Sequence, residues 1–173
     1  LERFFSAYGI ECEILSPIPN RANLLVRIPG RDPMAPSLMF MGHMDVVPAN
    51  AERWSVDPFA AEVRDDYLYG RGTLDMLNIT ASAAVGLAEY VKENGQGEGD
   101  LLYLALADEE AMGNYGARWL VENHWPKVQT DYMVTELGGF FVDTAAGPAA
   151  TVTIGEKGLA WTRVSESGGA PAL

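Results

Sequence analysis

A histidine and an aspartate stand two residues apart in Gly42-His43-Met44-Asp45, where the apolar run at residues 37–41 ends. Carboxylates follow at Asp75, at the adjacent pair Glu109 and Glu110, and at Glu136. Imidazole nitrogen and carboxylate oxygen are the donors of water-activating divalent metal sites, so the set reads as the acidic nest of a two-metal hydrolase. An all-carboxylate set would suit magnesium or calcium; His43 shifts the choice toward zinc, with cobalt or manganese as substitutes. Asp45 is placed to accept a hydrogen bond from the second ring nitrogen of His43, which would fix its tautomer. Adjacent Glu109 and Glu110 leave a strand end in different directions, so one can ligate while the other faces the water.

The elements that must position these residues are legible in the apolar pattern. Strands are predicted at residues 11–15, 23–28, 37–41, 101–107 and 132–135, and helices at 1–8, 79–93 and 115–122. Gly9 and Gly95 end the first two helices, and Asn114 is a candidate cap for the third. Residues 62–64 and 67–69 flank Asp65-Asp66 as a hairpin, and further strands are predicted at 151–154 and 159–164. Strands alternating with helices predict an α/β fold, a largely parallel sheet flanked by helices. Ligands of such sheets gather at the carboxyl ends of strands, where His43, Asp45, Glu109, Glu110 and Glu136 all fall.

The bulk composition excludes several classes of function. With 24 acidic against 12 basic residues the net charge is −12, which disfavours a nucleic-acid partner, because phosphates need Lys and Arg to neutralise them. Hydrophobic residues make up 48% of 173, enough for one domain with a packed core rather than disorder. Cys12 is the single cysteine, so an internal disulfide and a thiolate zinc site are both excluded. No apolar run reaches membrane-spanning length and no signal-peptide pattern opens the chain, so no membrane partner and a cytoplasmic location are expected. The chain opens on Leu1, inside a predicted helix, which reads as a fragment or the result of a removed leading segment.

Gly42-His43-Met44-Asp45-Val46-Val47-Pro48, with Trp54 and Asp57-Pro58-Phe59 after it, resembles the dinuclear zinc aminoacyl hydrolases. That family includes acetylornithine deacetylase, succinyl-diaminopimelate desuccinylase, aminoacylase and glutamate carboxypeptidase. Tyr69-Gly70-Arg71-Gly72-Thr73-Leu74-Asp75-Met76 resembles its second signature, Ala107-Asp108-Glu109-Glu110 with Gly113 its third, and Glu136-Leu137-Gly138-Gly139 its fourth. Glu156-Lys157-Gly158 resembles the strand leading into the family's lid domain. The resemblance implies a phosphorylase/hydrolase-like catalytic domain over residues 1–155 and the start of a lid and dimerisation domain over 156–173.

The resemblance also implies roles. His43 would bind one metal, Asp75 would bridge two, Glu136 would complete the first, Glu110 would bind the second, and Glu109 would be the general base. Two Zn²⁺ would serve a complete site, and the reaction would be hydrolysis of an amide bond in an N-acyl amino acid or small peptide, by a full-length homodimer. The family's distant second-metal histidine has no counterpart, since His124 reads as a helix-terminal surface residue beside Trp125-Pro126. The family's oxyanion histidine is also missing from Ser167-Gly168-Gly169-Ala170-Pro171, and losing such a donor typically costs roughly a hundred- to a thousand-fold in rate. Leu77-Asn78 replaces the family's Lys-Gly, leaving Asn78 as a helix cap. Arg71 could pair with the carboxylates of the site or with a substrate carboxylate, and a structural ion pair is the expectation. Trp54 and Phe59 could shape the pocket wall, and buried packing is expected for both. These departures predict a truncated chain with one well-held metal and little or no activity. The alternative reading is a non-catalytic metal-binding remnant or interaction module of the same fold.

Overall fold

The computed structural model describes residues 1–136, 140–152 and 155. A short helix, α1 (Glu2–Ala7), leads into strands β1 (Glu13–Leu15), β2 (Asn23–Ile28) and β3 (Leu38–His43). A hairpin of β4 (Glu62–Arg64) and β5 (Tyr67–Tyr69) precedes helix α2 (Leu77–Asn94), strand β6 (Leu101–Leu106), helix α3 (Ala117–Val128) and strand β7 (Tyr132–Val134). A second hairpin pairs β8 (Phe141–Thr144) with β9 (Gly147–Ala150). The chain divides into compact units Leu1–Glu136 and Leu137–Leu173.

The central sheet has the order β1-β2-β6-β3-β7. β3 lies parallel to both β6 and β7, whereas β2 is antiparallel to its neighbours β1 and β6. Four strands thus run one way and only β2 runs against them, so the expected α/β fold is present with a mixed sheet. Parallel pairing of His43 with Leu106 sets the carboxyl ends of β3 and β6 side by side.

β6 shows why its sequence is apolar throughout. Tyr103 and Ala105 pack with Phe5, Val26, Leu87 and Ala88, whereas Leu102, Leu104 and Leu106 pack with Met39, Leu120 and Val128. Alternate residues therefore enter cores on opposite faces, and a strand covered on both sides has no polar face to show. The one polar atom this costs is satisfied, because the Tyr103 hydroxyl donates to the Thr80 carbonyl at 2.9 Å.

Several boundaries differ from the sequence-based expectation. β3 extends to His43, so the histidine is the last strand residue instead of following the strand. α2 starts at Leu77, with Met76 in the capping position and Asn78 inside the helix, so Asn78 is not a cap. α3 starts at Ala117 after Gly116, and Asn114 does not cap it; the turn before it is held by the Asp108 carboxylate, which accepts the Tyr115 N–H at 2.9 Å. Gly116 fits there because a Cβ would stand 2.1 Å from the Ala107 carbonyl oxygen. α3 also continues through a break at His124 to Val128, with Pro126 in its last turn. Asp65 and Asp66 both take positive φ in the first hairpin, the conformation a two-residue primed turn requires.

Thr151 and Val152 lie outside any strand, and the β8–β9 hairpin stands where no element was expected. The β8 residues are all exposed, so they lack the half-buried alternation that marks a strand in sequence. The strand expected at 159–164 and the lid start expected at 156–173 lie outside the described residues, as do Leu137, Gly138 and Gly139. No helix among the described residues is long and apolar enough to cross a membrane.

Candidate metal centre

The first requirement of a ligand is a fixed position, and His43 is held from its backbone outward. Its N–H lies 3.3 Å from the Met76 sulfur, and its carbonyl accepts the Thr80 hydroxyl at 2.9 Å. The start of α2 thus clamps the end of β3. Gly42 makes the approach possible, since a Cβ there would lie 2.5 Å from the Thr80 Oγ1.

The ring is 2% exposed, and its Nδ1 lies 2.8 Å from the Asp45 backbone carbonyl oxygen. A carbonyl can only accept, so Nδ1 carries the proton and the lone pair of neutral His43 is on Nε2. The expectation placed the Asp45 carboxylate in this role, but its nearer oxygen is 3.7 Å from Nδ1. That carboxylate is committed elsewhere: its two oxygens accept the backbone N–H groups of Glu109 and Glu110, each at 3.0 Å. Asp45 therefore joins two segments 64 residues apart.

Around Nε2 stand three carboxylates: Asp75 Oδ1 at 3.2 Å, Glu109 Oε2 at 3.7 Å and Glu136 Oε1 at 3.9 Å. Each comes from a different stretch of chain. Asp75 closes the loop before α2, in which the Leu77 N–H donates to the Gly72 carbonyl at 2.8 Å and the Asp75–Met76 peptide is cis. Glu109 and Glu110 open a single 3-10 turn after β6, entered through Asp108 in the left-handed region at φ 57°. Glu136 follows β7. His43, Asp75 and Glu136 each offer one ligand atom, all within 4.8 Å of one another. This donor set fits a divalent metal. Glu110 lies outside that group and lines, with Asp75, an adjoining cavity of about 340 Å³.

The charges behave as expected for partly buried carboxylates crowded around an imidazole. Burial raises the pKa of Glu109, and the neighbouring Glu110, Asp45 and Asp75 raise it further against the opposing effect of His43. Burial likewise raises Glu136, with Asp75 and Glu109 adding to it and His43 opposing. For His43, burial alone would lower the pKa; the hydrogen bond to Asp45 and the charges of Glu109, Glu136 and Asp45 outweigh it and hold the imidazole above its ordinary value.

Other expectations are corrected by contacts between distant segments. Arg71 makes no ion pair among the described residues: its guanidinium lies 5.3 Å from the Trp54 ring centroid, one terminal nitrogen donates to the Pro48 carbonyl at 3.4 Å, and its buried Nε has no partner. Phe59 is 67% exposed, so it is not buried packing. His124 stacks edge-on against Trp119, with ring centroids 4.6 Å apart, and stands outside the metal group. Sequence reasoning also missed Asn23. Buried at the start of β2, its amide donates to the carbonyls of Leu15 and Tyr115 and accepts the Ala107 N–H, joining β1, β6 and the approach to α3. No motif marks it.

Known proteins resemble the chain in sequence and in fold. The model of "Peptidase family M20/M25/M40" matches residues 39–167. Succinyl-diaminopimelate desuccinylase of Parvibaculum lavamentivorans is 38% identical over 127 residues, which is 70% of this chain and 31% of that protein. A probable succinyl-diaminopimelate desuccinylase of Staphylococcus aureus is 35% identical over 140 residues, 80% of this chain and 33% of that one. The chain thus spans about a third of the length of these relatives. The fold is shared with an M20 family metallo-carboxypeptidase from Sulfolobus solfataricus, with TM-score 0.66 and 20% identity over 80% of this chain and 31% of that one. It is also shared with human carnosine dipeptidase 1, with TM-score 0.61 and 24% identity over 78% of this chain and 30% of that one.

Proposed function

The chain belongs to peptidase family M20/M25/M40, and from that premise we propose that its site is the water-activating centre of a zinc-dependent amide hydrolase. The observation that carries the reading is the convergence of Asp75, Glu109 and Glu136 on His43 Nε2 while Nδ1 is occupied by a carbonyl. His43, Asp75 and Glu136 would hold one metal, and Asp75 would share a second with Glu110. Mixed imidazole and carboxylate donors favour zinc, with cobalt or manganese as substitutes. Bound there, the metal would lower the pKa of a water and polarise the scissile carbonyl.

The chain's own residues would do the proton work. Glu109, 3.7 Å from His43 Nε2, would take the proton of the attacking water and deliver it to the leaving amine. Asp45 would keep Glu109 aimed by holding its backbone N–H. The substrate class we propose is an N-acyl amino acid or small peptide, in keeping with the desuccinylase and dipeptidase names of the proteins it resembles. His43 is the only imidazole in the metal group among the described residues, so these 173 residues alone should hold one metal well and turn over weakly.

Zinc titration by calorimetry, read beside hydrolysis of N-succinyl and N-acetyl amino acids, tests this. One tightly held zinc per chain, lost in His43→Ala and retained in Glu109→Gln, is the expected result. Zinc binding that survives His43→Ala would overturn the assignment. Metal retention without hydrolysis of any N-acyl amino acid, even by the protein with its flanking sequence, would favour a non-catalytic metal-binding module.

A further inference from the structure

The cavity beside the metal group contains a cation that the reaction above does not use. Arg71 lines it together with Trp54, Tyr69, Asp75 and Glu110. Two arginines among the described residues are half-buried, Arg27 and Arg71. Arg27 is neutralised by Asp100 and also donates to the Lys127 carbonyl. Arg71 has no carboxylate within ion-pair distance among the described residues, in a chain with twice as many acids as bases.

Taking a guanidinium partly out of water without an anion is costly, and an unpartnered buried N–H adds to that cost. What holds Arg71 in place is weak by comparison: the stack on Trp54 and one long hydrogen bond to Pro48. The side chain is therefore positioned by its neighbours but not neutralised by them. Its planar fork matches a carboxylate in two parallel hydrogen bonds, which a lysine could not reproduce. Asp75, four residues along the same loop, carries the metal group into the same cavity.

We propose that Arg71 is a specificity residue that binds a carboxylate of the substrate, a few bonds from the amide cut beside Asp75. The assignment rests on the amide-hydrolase reading only for which bond is cleaved; anion binding by Arg71 stands or falls separately. The carboxylate could belong to the leaving amino acid or to a dicarboxylic acyl group, and three probes separate these sources. N-acetylglycine carries only the first, N-succinylglycinamide only the second, and N-acetylglycinamide neither.

Each probe is titrated into the zinc-loaded and the metal-free protein, following the Arg71 Nε–H and Trp54 indole N–H resonances by NMR. At least one carboxylate probe should shift both resonances and bind roughly tenfold to a hundredfold more tightly than N-acetylglycinamide. Arg71→Gln should erase that preference, with Arg71→Lys recovering part of it. The proposal is overturned if both carboxylate probes leave the Arg71 resonance unmoved. It is equally overturned if Arg71→Gln binds them as tightly as the parent, which would place the carboxylate on the metal. Should Arg71→Gln not fold, the resonances of the parent protein decide the matter. Carboxylate binding through Arg71 without hydrolysis of any N-acyl amino acid would sink the reaction and leave this assignment standing.

Discussion

The Asp45 carboxylate accepts the backbone N–H of Glu109 at 3.0 Å, tying the end of β3 to the turn that follows β6. Its other oxygen takes the N–H of Glu110 at the same distance. The residue two places after His43 thus sets where both glutamates stand relative to the imidazole. Asp45→Asn replaces one acceptor with an NH₂ group that would face an N–H. Such supporting contacts typically contribute about 10- to 100-fold in activity or metal affinity. The expected outcome is a fall of that size in hydrolysis, with the zinc stoichiometry unchanged. Unaltered turnover in Asp45→Asn would show that Glu109 does not depend on this contact.

Glu109→Gln keeps the shape and the backbone contact to Asp45 while removing the proton acceptor. Loss of a general base typically costs about 10² to 10⁴ in rate. Turnover of an N-acyl amino acid should drop within that range, and the zinc affinity measured by calorimetry should not fall. Turnover within twofold of the parent would remove Glu109 from the proposed role.

Gly42→Ala is expected to act on His43 at one remove. The added Cβ would stand 2.5 Å from Thr80 Oγ1 and 3.1 Å from Met76 Cε, the two side chains that clamp the His43 backbone. Overpacking of this kind costs about 1–3 kcal/mol. Urea unfolding should show that loss, and zinc should bind more weakly because the clamp must shift.

Asn23→Leu tests the buried junction of β1, β6 and the approach to α3. It strands the carbonyls of Leu15 and Tyr115 and the N–H of Ala107 in an interior site. Unsatisfied buried groups cost about 1–3 kcal/mol each, with carbonyls at the low end, so the total should exceed about 2 kcal/mol. A denaturation midpoint equal to the parent's would show that water replaces the amide.

The pH dependence of the metal-free protein has a definite sign. His43 has a raised pKa in the folded state, so the fold binds its proton more tightly than the unfolded chain does. That contribution to stability is complete below the ordinary imidazole value of about 6.5 and is lost as pH rises through the higher folded value. Zinc requires the deprotonated Nε2, so its affinity should climb across the same interval. Ring resonances of His43 in metal-free protein should titrate above about 6.5. A midpoint below that value would contradict the crowding of carboxylates around the ring.

By itself the amino-acid sequence determined the α/β class, most element positions and the signatures that mark the family. Each of these is written in neighbouring residues: the unbroken apolar run of β6, the helical stripe of α2 stopped by Gly95, the motif from Gly42 to Pro48. Only the tertiary structure decided that the Asp45 carbonyl, and not its carboxylate, orients His43. It also decided that Asn23 joins three segments and that Arg71 stands beside the metal group with no carboxylate partner among the described residues. Periodicity reports which face of an element is buried, and it carries no information about which distant atom a polar group will meet. The Asp45 contacts to Glu109 and Glu110 follow from the parallel register of β3 and β6, which sets two strand ends more than sixty positions apart side by side.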